Sequence, residues 1–154
     1  MLTTEEMAEI EAEFTHYEQK RAACVEALKA VQRRRGWVSD ESLSDLADFM
    51  EMTTDELDSV ATFYSLIFRK PVGRHIILVC TSVSCWVMGY EQVLDHIRER
   101  LGIGLGETTA DGRFTLLPNV CLGACDLAPA LMIDDDLHGN LETEKIGDIL
   151  ARYE

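Results

Sequence analysis

Two apolar runs that both end on cysteine constrain this chain more than any other feature. HIILVC, residues 75–80, is almost continuously aliphatic, as a strand buried on both faces must be, and FTLLPNVC, residues 114–121, reads as a second strand. Between them WVMGYEQVLDHIRERLG keeps Tyr90, Leu94, Ile97 and Leu101 at helical spacing and stops at Gly102. Strand, helix, strand in that order is a crossover joining parallel neighbours. The carboxyl ends of parallel neighbours share one edge of the sheet, the edge where open α/β sheets carry their sites. Cys80 and Cys121 are predicted to close their strands there, with Cys85 and Cys125 each following within one loop. Four sulfurs are thus expected to converge from distant segments, in the pattern C-x4-C then C-x3-C.

The remainder of this region completes a small sheet. ALMID at 130–134 and LHGNL at 137–141 suggest a hairpin, and residues 143–153 a closing helix with Ile146, Ile149 and Leu150 on one face. Pro118 inside the second strand points to an irregularity or a sheet edge, because proline cannot donate to a ladder.

Upstream the periodicity is helical. Thr3 with Glu6 and Thr53 with Glu56 fit capping boxes, with Leu2/Met7 and Met52/Leu57 as staples. Met7, Ile10, Phe14 and Tyr17 make one apolar stripe; Val25, Leu28 and Val31 continue another, with Gly36 as its stop. Arg33, Arg34 and Arg35 read as a solvated helix end. A further helix follows Ser39 with Leu43, Leu46, Ala47 and Met50, and the last ends in ATFYSLIF, a core segment or a partner contact. At RKPVGR, residues 69–74, Pro71 and Gly73 break the pattern. The expected fold class is α+β: a helical bundle over 1–70 and a domain with a mixed four-stranded sheet over 71–154.

Composition narrows the function. Asp and Glu outnumber Lys and Arg by 28 to 14, a formal charge of −14, which opposes the phosphate neutralisation that nucleic-acid binding needs. Such acidity serves solubility, and in an electron carrier it can also steer docking on a basic partner. The N-terminus has no basic region and apolar core of an export signal, and no apolar stretch is long enough to cross a bilayer. Five cysteines in a chain without an export signal point to a reducing compartment, where thiols are metal ligands, catalytic groups or core residues.

Four thiolates in a small volume repel one another unless a cation compensates them, so convergence implies a metal centre or paired disulfides. Structural zinc favours tighter C-x2-C knuckles. A two-iron cluster spreads its four cysteines over two metals and suits wider loops. A thioredoxin-like dithiol uses C-x2-C, which neither pair has. The loop residues Ser82, Ser84, Gly123 and Ala124 are small, so backbone amides can approach sulfurs whose charge grows on reduction. Cys24 lies at helical spacing from Leu28 and Val31 and reads as an inert core residue. His16, His75, His96 and His138 lack metal-ligand spacing, and the glycines of LGIGLGETT follow a helix where a dinucleotide loop follows a strand.

Taken together, VATFYSLIFRKPVGRH, CTSVSC and DGRFTLLPNVCLGACDLAPALMID closely resemble the E subunit of bacterial respiratory NADH-quinone oxidoreductase, the thioredoxin-like ferredoxin component of complex I. The resemblance spans nearly the whole chain. It implies a thioredoxin-like second domain and one [2Fe-2S] cluster, with Cys80, Cys85, Cys121 and Cys125 as ligands. It also implies association with the flavin- and NADH-binding F subunit and with further peripheral-arm subunits, in the cytoplasm and peripheral to the inner membrane. The chain would then be an electron-transfer subunit that exchanges electrons with the partner's FMN, without bond-making chemistry or membrane insertion of its own. Related subunits of NAD-linked hydrogenases and formate dehydrogenases keep the same cysteine pattern, so the motif does not choose among these parent enzymes. A zinc-stapled scaffold and a thiol oxidoreductase are the rival readings.

Overall fold

The computed structural model describes residues 1–153, which divide into two compact units, Met1–Pro71 and Val72 onward.

The first unit is helical. Helix α1 (Thr4–Phe14) begins in a complete capping box, in which the Thr3 side chain accepts from the Glu6 amide and the Glu6 carboxylate accepts from the Thr3 amide. A 3-10 turn (Lys20–Ala23) leads into α2 (Cys24–Arg35), which Gly36 ends in the left-handed conformation by donating to the Gln32 carbonyl at 2.7 Å. Helices α3 (Asp40–Met50) and α4 (Thr54–Phe63) follow; Ser39 caps the first, and Thr53 with Glu56 forms the second capping box. Ile10, Leu28, Val31, Leu43, Leu46, Met50 and Leu57 fill one core. Burying each side chain of this size contributes about 1.5–3 kcal/mol, and that burial, more than helix propensity, holds these short helices in shape.

Three expectations change here. Tyr17 lies past the end of α1, whose stripe therefore stops at Phe14, stacked on Phe49 with centroids 6.1 Å apart. ATFYSLIF is divided: Ala61 and Ile67 enter the core, whereas Phe63, Tyr64 and Leu66 are exposed. The arginine run is a solvated helix end only in part, since Arg33 and Arg34 are exposed and Arg35 is half-buried. Arg33 and Arg34 pair with Glu9, and Arg35 grips the buried Glu6 through two hydrogen bonds of 2.7 Å. The arginines lie within the last turn of α2, so their long side chains reach α1.

The second unit holds strand β1 (His75–Cys80), a one-turn helix α5 (Val83–Val87), α6 (Tyr90–Leu101) and β2 (Phe114–Asn119). It closes with β3 (Leu131–Ile133), β4 (Asp136–His138) and α7 (Thr143–Leu150). The sheet order is β2-β1-β3-β4, with β1 and β2 parallel and the other two pairings antiparallel. It is the expected mixed four-stranded sheet, and its α+β class stands. Pro118 sits exposed on β2, an edge strand, where a missing donor costs least. Ile77, Val79, Phe114, Leu116, Leu131 and Ile133 pack with Val93, Ile97, Ile146 and Leu150 into the second core.

The hairpin strands are shorter than expected, three residues each, and the last helix stops at Leu150. The helix after β1 is also not continuous. Gly89, at a φ of 89°, separates α5 from α6.

Candidate metal centre

The register of the parallel pair sets Cys80 opposite Asn119. Cys80 therefore ends its strand as expected, whereas Cys121 does not close β2 but stands two residues beyond the rim. A strand needs a partner residue for each step, and β1 has none past Cys80. The departing chain is tied back by Thr81, whose amide and hydroxyl both donate to the Asn119 carbonyl, at 2.9 and 3.1 Å. This clasp holds the two cysteine segments side by side.

Cys85 is carried on α5, one turn after Cys80, and points inward. Both residues are buried, at 2% and 1% exposure, against Ala128 and Ala130. Cys121 and Cys125 are exposed, and Cys125 opens a 3-10 turn ending at Leu127. The centre thus has two sulfur-bearing residues set inward and two that face outward.

The cysteines of each segment act on those of the other. The Cys85 thiol is pushed up chiefly by burial, and also by Cys80 and Cys125; a backbone hydrogen bond from Ala130 opposes the shift. The Cys121 thiol is held below the ordinary thiol range, first by the Gly123 amide, which donates to its sulfur at 3.3 Å, then by Cys125, Ser82 and Cys80. Within a segment Cys80 acts on Cys85 and Cys125 on Cys121, while across the segments Cys80 acts on Cys121 and Cys125 on Cys85. No disulfide is present among the five cysteines. Among the described residues no three His, Cys, Asp or Glu side chains form a ready cage for a single metal ion. A two-iron cluster asks for a different donor set, two sulfurs for each iron with amides aimed at them, and the two linked pairs match it.

The geometry gives Gly123 its purpose. Its φ of 75° turns the amide back on Cys121, and a Cβ there would meet nothing within 4 Å, so conformation rather than space calls for glycine. Ala130 carries no mark in the sequence. Its amide reaches Cys85 and its carbonyl accepts the Cys80 amide at 3.2 Å, a role that depends on backbone alone and so leaves no trace in residue type. Cys24 lies in the other unit, half-buried against the first core, with its thiol pushed up by burial. Two of the histidines take other partners. His75 faces Asp134 at 2.6 Å, at the opposite end of β1 from Cys80, and His138, on the far edge strand β4, faces the Tyr153 hydroxyl at 2.8 Å.

Comparison with known proteins bears directly on this centre. Residues 10–154 match the family of thioredoxin-like [2Fe-2S] ferredoxins. The chain belongs to that family. This ferredoxin is 53% identical over 153 residues to the NADH-quinone oxidoreductase E subunit of Pseudomonas aeruginosa, covering 99% of this chain and 92% of that one. It is 49% identical over 152 residues to the corresponding E subunit of Escherichia coli, with the same coverage. Among solved structures, a chain of an NAD+-reducing [NiFe]-hydrogenase in the air-oxidized state superimposes with a TM-score of 0.71 at 25% identity. The match covers 81% of this ferredoxin but only 22% of the hydrogenase chain. The cofactor of this ferredoxin is a [2Fe-2S] cluster, and its work is electron transport within an oxidoreductase.

Proposed function

We propose that Cys80, Cys85, Cys121 and Cys125 hold the [2Fe-2S] cluster and that this ferredoxin is the electron-transfer subunit of an NADH-quinone oxidoreductase. When bound, the cluster takes up and releases one electron at a time. The observation that supports the assignment best is the Thr81–Asn119 clasp, which holds the two cysteine segments, separated by 35 residues in sequence, side by side, with Cys80 acting on Cys121 and Cys125 on Cys85 across them. The residues around them do three things. Cys80 and Cys85 anchor the centre in the interior, Ala128 and Ala130 exclude water from that side, and the amides of Gly123 and Ala130 favour added negative charge on the sulfurs.

Its electron partner in this reading is FMN in the flavin- and NADH-binding F subunit, with NADH oxidation performed there. Two features support a partner at the cysteine rim. Cys121 and Cys125 are exposed, so the centre is approachable from outside. Val83, Trp86, Val87 and Met88 on or beside α5 and Val120 before Cys121 are also exposed, an apolar group of the kind that partner proteins cover. The formal charge of −14 would guide approach to a basic surface. No helix among the described residues is long and apolar enough to cross a membrane, and we place the protein in the cytoplasm as a peripheral part of a membrane-bound complex. In this scheme residues 71–154 carry the cluster and residues 1–70 form a separate helical domain.

The decisive experiment is analysis of anaerobically purified protein. About two irons and two acid-labile sulfides per chain, with a paramagnetic signal after dithionite, are expected. About one zinc without sulfide would establish the scaffold reading instead. Substituting any of the four cysteines by Ala should remove or impair the cluster. Co-purification with a flavoprotein from native membranes tests the partner.

A further inference from the structure

Two arginines without a carboxylate partner share one cavity beside α7. Arg100, in the last turn of α6, and Arg113, directly before β2, line a space of about 250 Å³ together with Phe114, Gly147 and Leu150. Other arginines of this acidic chain find acids: Arg35 pairs with Glu6, Arg69 with Asp40 and Asp58, and Arg98 with Asp95. Among the described residues the Arg100 guanidinium makes no ion pair and no hydrogen bond. Among the same residues Arg113 has no ion pair either; its Nη2 donates to the Leu150 carbonyl at 2.9 Å and to the Tyr153 carbonyl, while its Nε is buried without a partner. The guanidinium carbon of Arg113 stands 4.7 Å from the centre of the Phe114 ring, a contact that holds its plane in place.

Gly147 makes room for the second arginine. It lies in the middle of α7, where glycine weakens a helix, and a Cβ there would stand 2.6 Å from Nη2, 2.7 Å from Cζ and 3.0 Å from Nη1 of Arg100. The missing side chain lets the guanidinium lie against the helix at the cavity wall. Two cations on one cavity repel each other unless an anion shares it, and guanidiniums present planar forks of N–H donors that match oxyanions.

We propose that this cavity is a binding site for a small oxyanion, a phosphate or carboxylate group held by the Arg100 and Arg113 guanidiniums. Pockets for drug-sized ligands span roughly 300–1,000 Å³, so the smaller volume here favours a phosphate-sized group over a nucleotide. The site lies at the start of β2, the opposite end of that strand from Cys121, and its occupancy is independent of the cluster.

The test titrates the full-length protein with inorganic phosphate, and separately with acetate, each replacing chloride at constant ionic strength, while NMR follows the amides of Leu101, Gly147 and Leu150 and thermal unfolding is recorded. Phosphate should shift those amides saturably and raise the unfolding midpoint. A response to phosphate alone assigns a phosphate ligand and a response to acetate as well admits a carboxylate, and either supports the proposal. Arg100→Gln removes one charge and leaves the Arg113 contacts untouched, so it should weaken phosphate binding about tenfold or more. Gly147→Ala favours the helix but displaces the Arg100 guanidinium, so it should also bind phosphate more weakly while the phosphate-free protein unfolds no earlier than the parent, a pattern that a purely structural role for Gly147 does not give. The absence of a saturable phosphate response in the parent, or binding at full strength in either variant, would overturn the proposal.

Discussion

The backbone amide of Gly123 donates to the sulfur of Cys121 at 3.3 Å, two residues back along the chain. The bond exists because Gly123 adopts a φ of 75°, and it is the leading cause of the lowered Cys121 pKa. Gly123→Ala should therefore act through backbone strain of about 1–2 kcal/mol, with no clash. The expected result is a more labile cluster with a more negative potential. Gly123→Asn, which tolerates the left-handed region better, should be milder in both respects, as measured by cluster half-life in air and by redox titration.

Gly139 is a close approach of another kind. A Cβ there would stand 2.5 Å from the Leu127 Cβ and 3.0 Å from its carbonyl oxygen, two residues after Cys125. The neighbouring Asn140 amide donates to that same carbonyl at 2.6 Å. Gly139→Ala should push the Cys125 turn out of place and lower iron content at constant expression, with destabilisation of about 1–3 kcal/mol from overpacking. Iron analysis alongside thermal unfolding reads both effects.

Cys24→Ala provides the contrast. The residue packs beside the helical core in the other unit, so the substitution should cost about 1 kcal/mol or less and leave the cluster spectrum unchanged. Loss of the chromophore in this variant would contradict the assignment of the other four cysteines.

The Arg35–Glu6 pair should set the acid limit of the helical unit. Glu6 is 1% exposed and accepts from Arg35 and from the Thr3 amide; the Arg35 hydrogen bond is the main cause that holds its pKa below the usual 4.5. A lowered folded-state pKa gives stability that is present above about 4.5 and is lost as pH falls through the folded value. Arg35→Met should destabilise by about 3 kcal/mol at neutral pH by leaving a buried carboxylate unpaired. It should also remove the acid sensitivity that pairing confers, measured by chemical denaturation from neutral pH down through the carboxylate range, to about pH 3.

Tyr153 governs the alkaline side. Its hydroxyl donates to Asp136 at 2.9 Å and meets His138 at 2.8 Å, and burial first, then Asp136, pushes its pKa from 10 up to about 12. A raised folded value gives stability that is full below about 10 and is lost as pH rises toward 12. Tyr153→Phe should be somewhat less stable at neutral pH but lack that alkaline loss, as followed by unfolding midpoints across the range.

Local chemistry was legible in the sequence wherever one short segment settles it. Both capping boxes, the Gly36 stop, the β1 run and the helical spacing of Leu94 and Ile97 depend on near neighbours, and each appears where the residues place it. The four cysteines could be singled out because their spacing is a property of sequence and the strand-helix-strand crossover brings Cys80 and the chain after β2 to one edge. Tertiary structure decided what distant groups do to one another. Strand register, not the apolar run, stopped β2 at Asn119 and left Cys121 outside the sheet. The reach of the Arg35 side chain joined one residue of a charged helix end to the buried Glu6. The clasp of Thr81 on Asn119, a contact between residues 38 positions apart, sets the two cysteine segments side by side. Such choices fall to the folded molecule because a hydrogen bond acts over about 3 Å, and only packing brings groups that far apart in the chain within that distance.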